Sequence, residues 1–167
     1  HAGSFKARGA LNALLDSDRT GGEVVAASGG NHGVAVAWAA RVVGRAAHIF
    51  VPEIAAPAKI ERLRELGAVV HQTGADYGEA LAASDRFRVG RDLTTVHAFD
   101  QAEVMAGAAT LAREMDDQID GLDTVVVACG GGGLAGGLAS WWGAGVRLVV
   151  VETEMTATFA SARQAGR

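Results

Sequence analysis

Residues 124–139, TVVVACGGGGLAGGLA, join an apolar run to four successive glycines and then to a segment of small residues. The valine-rich run is typical of a buried strand of a parallel sheet, and the segment after the glycines is typical of a helix. Gly130–Gly133 have no side chains, so the backbone of this turn can wrap closely around a ligand. A strand, a glycine turn and a helix in this order predict an α/β fold whose turn binds a phosphate group.

The rest of the chain shows the same alternation of apolar runs and helix-like segments, which predicts βαβ units and a mostly parallel sheet. The predicted strands are EVVAAS, AAHIFVP, AVVHQT, TTVHAF, DTVVVAC and VRLVVVE. The predicted helices lie near residues 32–43, 57–66, 76–89, 101–116 and 134–142, and an amphipathic helix is predicted within 153–167. Pro57 predicts a first helical turn, Gly67 a C-terminal cap, and the spacing of Asp100 and Glu103 a capping box.

Composition restricts the function classes. The 167 residues are 49% hydrophobic and 20% charged, which is enough apolar content for a substantial core. A net charge of -4 without a basic run argues against nucleic acid as the main partner. No apolar run is long enough for a membrane span, and no signal peptide pattern is present. The single cysteine, Cys129, fits a reducing compartment, so we expect a cytoplasmic protein.

A second glycine-containing turn, SGGNHG at residues 28–33, follows a predicted strand and precedes a predicted helix. Its backbone amides and the helix N-terminus favour an anion such as a carboxylate or phosphate. Ser28, Asn31 and His32 add side-chain donors. A turn that merely needs backbone freedom explains the glycines equally well, so the residues alone leave both interpretations open.

Lysine is rare in this chain. Of the fifteen basic residues only Lys6 and Lys59 are lysines, and Lys6 lies in GSFKARGA. Burial or a neighbouring cation can neutralise a lysine amine, which then acts as a nucleophile and forms Schiff bases, whereas arginine stays charged. From residue type alone, a solvated lysine at a helix start is the commoner case.

The glycine run also fits a different cofactor. Gly131, Gly133 and Gly136 match the dinucleotide fingerprint, and Glu152 follows at about the expected distance of ~20 residues. This pattern predicts a NAD-binding Rossmann domain of a dehydrogenase. That interpretation gives no role to GSFKARGA or to SGGNHG.

One interpretation uses all three segments. GSFKARGA, SGGNHG and the glycine run, in this order, resemble the fold-type II pyridoxal phosphate enzymes, specifically the threonine and serine dehydratase group with its relative serine racemase. The similarity continues through APAKIERLRELGAVV, ADYGEA and VHAFDQAEVMAGAATLA. It implies two open, mostly parallel α/β sheets with helices on both faces, as in the tryptophan synthase beta-like fold. It also implies a chain truncated at both ends, with a small domain at 23–102 and large-domain portions at 1–22 and 103–167, the last carrying the phosphate-binding loop.

The resemblance assigns roles to individual residues. It makes Lys6 the catalytic lysine, which forms the Schiff base with pyridoxal 5'-phosphate and then removes the substrate's α-proton. The cofactor-binding residues that it implies are Phe5, Lys6, Asn31, Gly130, Gly131, Gly132 and Gly133. The residues implied for the substrate carboxylate are Ser28, Asn31 and His32. No metal site is expected, because Thr158 stands where an aspartate ligand would follow Glu152.

The activity implied is that of an ammonia-lyase (dehydratase) that converts L-threonine or L-serine into a 2-oxo acid and ammonia. The implied partners are a small amino-acid substrate and, at full length, further copies of the chain as a homo-oligomer. Serine racemase and 3-hydroxyaspartate ammonia-lyase are alternatives within the family, and a catalytically silent fragment is an alternative outside it. The isolated chain is expected to be inactive. Gly29 stands where racemase-like relatives have a second serine, SSGNHG, which predicts elimination without racemisation.

Overall fold

The fold is taken from a computed structural model, which describes residues 2–17 and 22–166. The chain divides into two compact units, His1–His97 and Ala98–Arg167. Both are built from parallel strands that alternate with helices, so the predicted α/β class is confirmed. The predicted domains at 1–22, 23–102 and 103–167 stay a prediction. No helix in the described ranges has both the length and the apolar content that crossing a membrane requires.

The first unit is a four-stranded parallel sheet with helices between its strands. Its elements are α1 (Lys6–Asp16), β1 (Glu23–Ala27), α2 (Asn31–Val42), β2 (Ala47–Val51), α3 (Pro57–Glu65), β3 (Val69–Gln72), α4 (Tyr77–Arg88) and β4 (Leu93–Thr95). The strand order is β3-β2-β1-β4, and every pair is parallel. The central strands are almost wholly buried, with Val24, Ile49 and Val51 inaccessible to solvent. Burial on both faces explains why β1 and β2 have continuous apolar sequences rather than alternating ones.

The second unit places two parallel strands against two helices. Its elements are α5 (Ala102–Gln118), β5 (Thr124–Ala128), α6 (Gly133–Trp142), β6 (Arg147–Val151), a 3-10 turn (Glu154–Thr156) and α7 (Thr158–Gln164). Strand β5 pairs with β6 in register from Thr124 with Arg147 to Ala128 with Val151. Helices α5 and α6 approach closely at Gly137, where a Cβ would lie 2.6 Å from the carbonyl oxygen of Met105. This close packing requires the small residues of the GLAGGLA segment.

Local signals mostly gave the correct boundaries. Pro57 begins α3, and Gly67 ends the turn after it with φ +84°, so both predictions are confirmed. The capping box at Asp100 and Glu103 stays a prediction: α5 begins at Ala102, and the side chain of its N-cap residue Gln101 makes no cap bond. A side-chain cap is present at α4, where Asp76 Oδ1 accepts from the N–H of Glu79 at 2.9 Å.

Two predicted elements are shorter in the structure. The strand TTVHAF is wrong beyond Thr95: the N–H of Val96 still donates to the Val25 carbonyl at 3.3 Å, but its carbonyl accepts from the ring of His32 and the strand does not continue. The helix predicted within 153–167 is divided into the 3-10 turn and the seven-residue α7. Its last residue, Arg167, lies outside the described residues. Conversely, α1 forms a regular helix that the sequence analysis did not predict.

Candidate active site

Lys6 is the first residue of α1, and Phe5 is the N-cap of that helix. The Lys6 Nζ lies 5.2 Å from the centroid of the Phe5 ring, which is 38% exposed. Lys6 is partly buried, and this burial lowers the pKa of its amine below the ordinary 10.5. A lowered pKa increases the fraction of neutral amine, which is the form that attacks a carbonyl carbon.

The SGGNHG turn connects β1 to α2 by a close backbone approach. A Cβ on Gly33 would lie 2.0 Å from the carbonyl oxygen of Ser28, so only glycine fits there. The N–H of Gly30 donates to Ser28 Oγ at 3.1 Å, which leaves the hydroxyl hydrogen of Ser28 available to another acceptor. Asn31, the first residue of α2, is exposed.

Backbone donors are available at this helix start. The N–H groups of Asn31, His32 and Gly33 have no acceptor within residues 2–17 and 22–166. They are orphan donors of the first helical turn, and the helix dipole adds partial positive charge there. The turn can therefore bind an anion such as a carboxylate.

The His32 ring makes a different contact and does not add a donor to this anion-binding turn. Its side chain is 7% exposed, and Nε2 donates to the carbonyl of Val96 at 3.0 Å. Burial lowers the pKa of His32 to about 4, and the nearby charges of Lys6 and His97 add to the effect, so the ring is neutral near pH 7. With the hydrogen on Nε2, Nδ1 is an acceptor and cannot bind a carboxylate. The predicted contact of His32 with substrate stays a prediction, and it requires the backbone N–H.

The glycine run connects β5 to α6. Gly132 is the N-cap of α6 and adopts φ +86°, a left-handed conformation that favours glycine. A Cβ on Gly131 would lie 2.3 Å from the Phe99 ring, and one on Gly133 would lie 2.9 Å from the Phe99 backbone. A Cβ on Gly130 would meet no atom within 4 Å. Backbone conformation or close packing therefore accounts for three of the four glycines.

This loop has the donors that a phosphate needs. The N–H groups of Gly130–Gly133 make no hydrogen bond within the described part of the chain. Gly130–Gly132 come directly before α6 and Gly133 is its first residue, so the ten-residue helix directs its positive dipole end at the loop. Consecutive free N–H groups without intervening side chains form an anion-binding nest. The residues present therefore fit the phosphate of a cofactor.

The residues of the dinucleotide pattern have other partners. Gly136 packs on α5, where a Cβ would lie 2.8 Å from Met105 Cε. The Glu152 carboxylate accepts from the N–H of Phe159 at 2.7 Å and of Ala160 at 2.9 Å. These bonds, chiefly that of Phe159, hold the pKa of Glu152 below its ordinary value. A carboxylate that caps α7 in this way is not free to bind a ribose, which disfavours the nicotinamide interpretation.

Sequence reasoning missed two residues beside the glycine loop. Phe99 was included in a predicted strand, but it packs against Gly131 and Gly133. Thr158 was noted only for not being an aspartate, whereas its hydroxyl lies within hydrogen-bonding distance of the Gly130 carbonyl oxygen and of Glu152 Oε1.

The described residues contain no group of three or more His, Cys, Asp or Glu side chains that could hold a metal ion. The expectation of no metal stays a prediction.

Comparisons with known proteins agree with this geometry. A family model described as pyridoxal-phosphate dependent enzyme matches residues 1–167. The chain is 38% identical over 140 residues to the L-threonine ammonia-lyase of Geobacter sulfurreducens, covering 83% of this chain and 35% of that protein. It is 39% identical over 141 residues to a catabolic L-threonine dehydratase of Staphylococcus aureus, covering 83% of this chain and 40% of that protein. The chain thus spans well under half the length of these curated relatives.

Solved structures show the same similarity. The processed form of threonine deaminase isoform 2 from Solanum lycopersicum superimposes with a TM-score of 0.93 at 29% identity, covering 98% of this chain and 49% of that one. Maize serine racemase superimposes with a TM-score of 0.92 at 30% identity, covering 99% of this chain and 52% of that one.

Proposed function

Because this chain belongs to the family of pyridoxal-phosphate dependent enzymes, we propose that the protein is an ammonia-lyase that converts L-threonine or L-serine into a 2-oxo acid and ammonia. The structural observation that carries the proposal is that two sets of backbone N–H groups, at Gly130–Gly133 and at Asn31–Gly33, have no acceptor among the described residues. A phosphorylated cofactor and an amino-acid carboxylate are two anions, and each needs such a set. The names of the curated relatives support the choice of reaction.

The cofactor would be held at two places. The N–H groups of Gly130–Gly133 would bind its phosphate, with the N-terminus of α6 adding favourable potential. Lys6 would hold its aldehyde carbon covalently, Phe5 would pack near its ring, and Asn31 would approach its 3'-hydroxyl. When bound, pyridoxal phosphate supplies an electron sink for the charge left at the α-carbon of an amino acid.

The substrate carboxylate would bind at the SGGNHG turn. Ser28 can donate its hydroxyl hydrogen, since its oxygen already accepts from Gly30. The Asn31 side chain and the backbone N–H of His32 supply further donors. This site would fix the amino acid by its carboxylate and leave the side chain free, which suits a reaction at the α- and β-carbons.

Lys6 would also move the proton. With an amino-acid substrate bound, the neutral Nζ of Lys6 would accept the substrate's α-proton, helped by the burial that lowers its pKa. Loss of the α-proton and the β-hydroxyl removes water, and hydrolysis of the remaining enamine releases ammonia. Serine gives pyruvate and threonine gives 2-oxobutyrate.

One observation bears on the racemase alternative. Racemisation needs a proton donor on the face of the substrate opposite the lysine, and Gly29 has no side chain that could supply a proton. Elimination is therefore preferred over racemisation. A 3-hydroxyaspartate substrate remains an alternative. The proposal also includes a cytoplasmic location and, at full length, a homo-oligomeric assembly.

The experiment is an assay of 2-oxo acid release by the full-length protein from L-threonine, L-serine and 3-hydroxyaspartate. We expect a yellow protein that releases 2-oxo acid from threonine or serine, and a Lys6→Ala variant that does not. Lys59→Ala is the matched control and should stay active. A colourless protein that binds NADH would support the dehydrogenase instead, and one with neither property would support a silent homologue.

A further inference from the structure

Two hydrogen bonds connect the glycine loop to α7. The Thr158 hydroxyl is within hydrogen-bonding distance of the Gly130 carbonyl oxygen and lies 3.0 Å from Glu152 Oε1. Both partners are acceptors, since a carbonyl cannot donate and hydrogen bonds from Phe159 and other groups keep the pKa of Glu152 low. The single hydroxyl hydrogen is therefore shared between these two acceptors, and the contact with the Gly130 carbonyl oxygen is the shorter one, so a side chain without an O–H or N–H cannot replace it.

Thr158 is itself firmly placed. Glu152 directly follows β6, and its carboxylate accepts from the N–H groups of Phe159 and Ala160 as well as from Thr158. On the other side, the N–H of Cys129 donates to the Val151 carbonyl at 3.1 Å, which extends the pairing of β5 with β6 to the residue before the loop. Thr158 thus connects the segment after β6 to the segment after β5.

Gly130 is the loop residue that needs such support. Gly131 and Gly133 are fixed by packing against Phe99, whereas no atom of residues 2–17 and 22–166 packs where a side chain of Gly130 would be. Gly130 is exposed, and its carbonyl accepts from Thr158, with the Cys129 thiol more distant at 3.6 Å. Without the Thr158 hydroxyl, the first peptide of the loop would lose its shorter hydrogen bond.

The direction of this bond has a consequence for ligand binding. In a planar trans peptide, the carbonyl of one residue and the N–H of the next point in opposite directions. A Gly130 carbonyl held toward Thr158 therefore holds the N–H of Gly131 away from Thr158. That N–H is one of the unpartnered donors of the nest.

We propose that Thr158 is a positioning residue for the cofactor phosphate: its hydroxyl fixes the Gly130–Gly131 peptide so that the Gly131 N–H is oriented before the phosphate binds. Preorganised donors bind an anion more tightly than donors that must first be ordered. Thr158 does not contact the cofactor in this role. The proposal rests on the use of pyridoxal phosphate given above and concerns its phosphate alone.

The test compares pyridoxal phosphate with pyridoxal, which has the aldehyde but no phosphate, in equilibrium titrations of the full-length apo protein followed by absorbance. Thr158→Val keeps the shape and removes the hydroxyl, and we expect it to raise the Kd for pyridoxal phosphate about fivefold to tenfold while changing the Kd for pyridoxal less than about twofold. Thr158→Ser keeps the hydroxyl and should restore the wild-type Kd. The phosphorus resonance of bound cofactor should shift in Thr158→Val and not in Thr158→Ser.

Each result has a distinct meaning. Equal weakening of both ligands in Thr158→Val would show a general structural role and overturn the proposal, as would no change in either Kd. Circular dichroism of the apo variants shows whether they fold, and Thr158→Ala, which also lacks the hydroxyl, provides the test if Thr158→Val does not fold. If the wild-type apo protein binds neither ligand, the proposed function fails before the role of Thr158 is examined.

Discussion

His32 Nε2 donates a hydrogen bond to the carbonyl oxygen of Val96 over 3.0 Å, from a side chain that is almost completely buried. The bond fixes the start of α2 to the residue that follows β4. The N–H of the same residue donates to the Val25 carbonyl of β1 at 3.3 Å, so Val96 is bonded both to the sheet and to His32. One histidine therefore connects the SGGNHG turn to the residue that follows β4.

The first prediction concerns stability against acid. The pKa of His32 is about 4 in the folded chain, below its ordinary 6.5, so between these values the unfolded chain binds a proton that the folded chain does not. Unfolding is therefore favoured as pH falls from about 6.5 to 4, and His32 contributes a loss of about 3 kcal/mol in the unfolding free energy. Urea unfolding across this pH range measures it.

The control for this effect is a second histidine. His32→Gln should be less stable than wild type at pH 7 and should lose most of the pH dependence between 6.5 and 4. His97→Gln removes an exposed histidine whose charge adds only a minor part to the lowered pKa of His32, so this variant should keep most of the pH dependence. An unchanged pH profile in His32→Gln would show that other groups cause the acid sensitivity.

The second prediction concerns the reactive lysine. Reduction of the full-length protein with borohydride, followed by peptide mapping, should place a pyridoxyl group on the GSFKARGA peptide at Lys6. Burial lowers the pKa of Lys6, whereas Lys59 lies on the exposed side of α3. A pyridoxyl group on Lys59 would contradict the assignment.

The third prediction separates the glycines of the phosphate loop. Gly131→Ala would place a methyl group 2.3 Å from the Phe99 ring and should lower the unfolding free energy by roughly 1–3 kcal/mol. Gly130→Ala adds the same methyl group where no atom lies within 4 Å, so it should change the unfolding free energy by less than about 0.5 kcal/mol. Thermal and urea unfolding measure both. Equal destabilisation by the two variants would show that backbone freedom, and not the contact with Phe99, requires glycine at 131.

Much of this architecture could be predicted because its signals are local. Continuous apolar runs marked the strands β1, β2 and β5, of which β1 and β2 are buried, and glycine runs marked the turns after β1 and β5. The similarity of these turns and of GSFKARGA to fold-type II pyridoxal phosphate enzymes is confirmed by the family match. The roles of the individual site residues stay predictions.

What could not be predicted depends on contacts distant in sequence. The bond from His32 to Val96 joins residues 64 positions apart, and the bond from Thr158 to Gly130 joins residues 28 apart. Neither produces a periodic pattern or a spacing motif.

The last prediction concerns the choice between elimination and racemisation, and Gly29 is the residue that tests it. A lysine acting from one face of the substrate can return a proton only to that face, so the wild-type protein should convert L-serine to pyruvate with little or no D-serine. A Cβ on Gly29 would lie 3.6 Å from the Ala55 Cβ and 3.7 Å from Val51 Cγ1, which are ordinary contacts, so Gly29→Ser should fold. The new hydroxyl adds a group that can carry a proton, and we expect detectable D-serine, measured by chiral chromatography.

Gly29→Ala is the matched control for this prediction, with the same Cβ and no hydroxyl, and should form no D-serine. D-serine accumulating in wild type as fast as pyruvate would show that another residue supplies the second proton, and the argument from Gly29 would then be wrong.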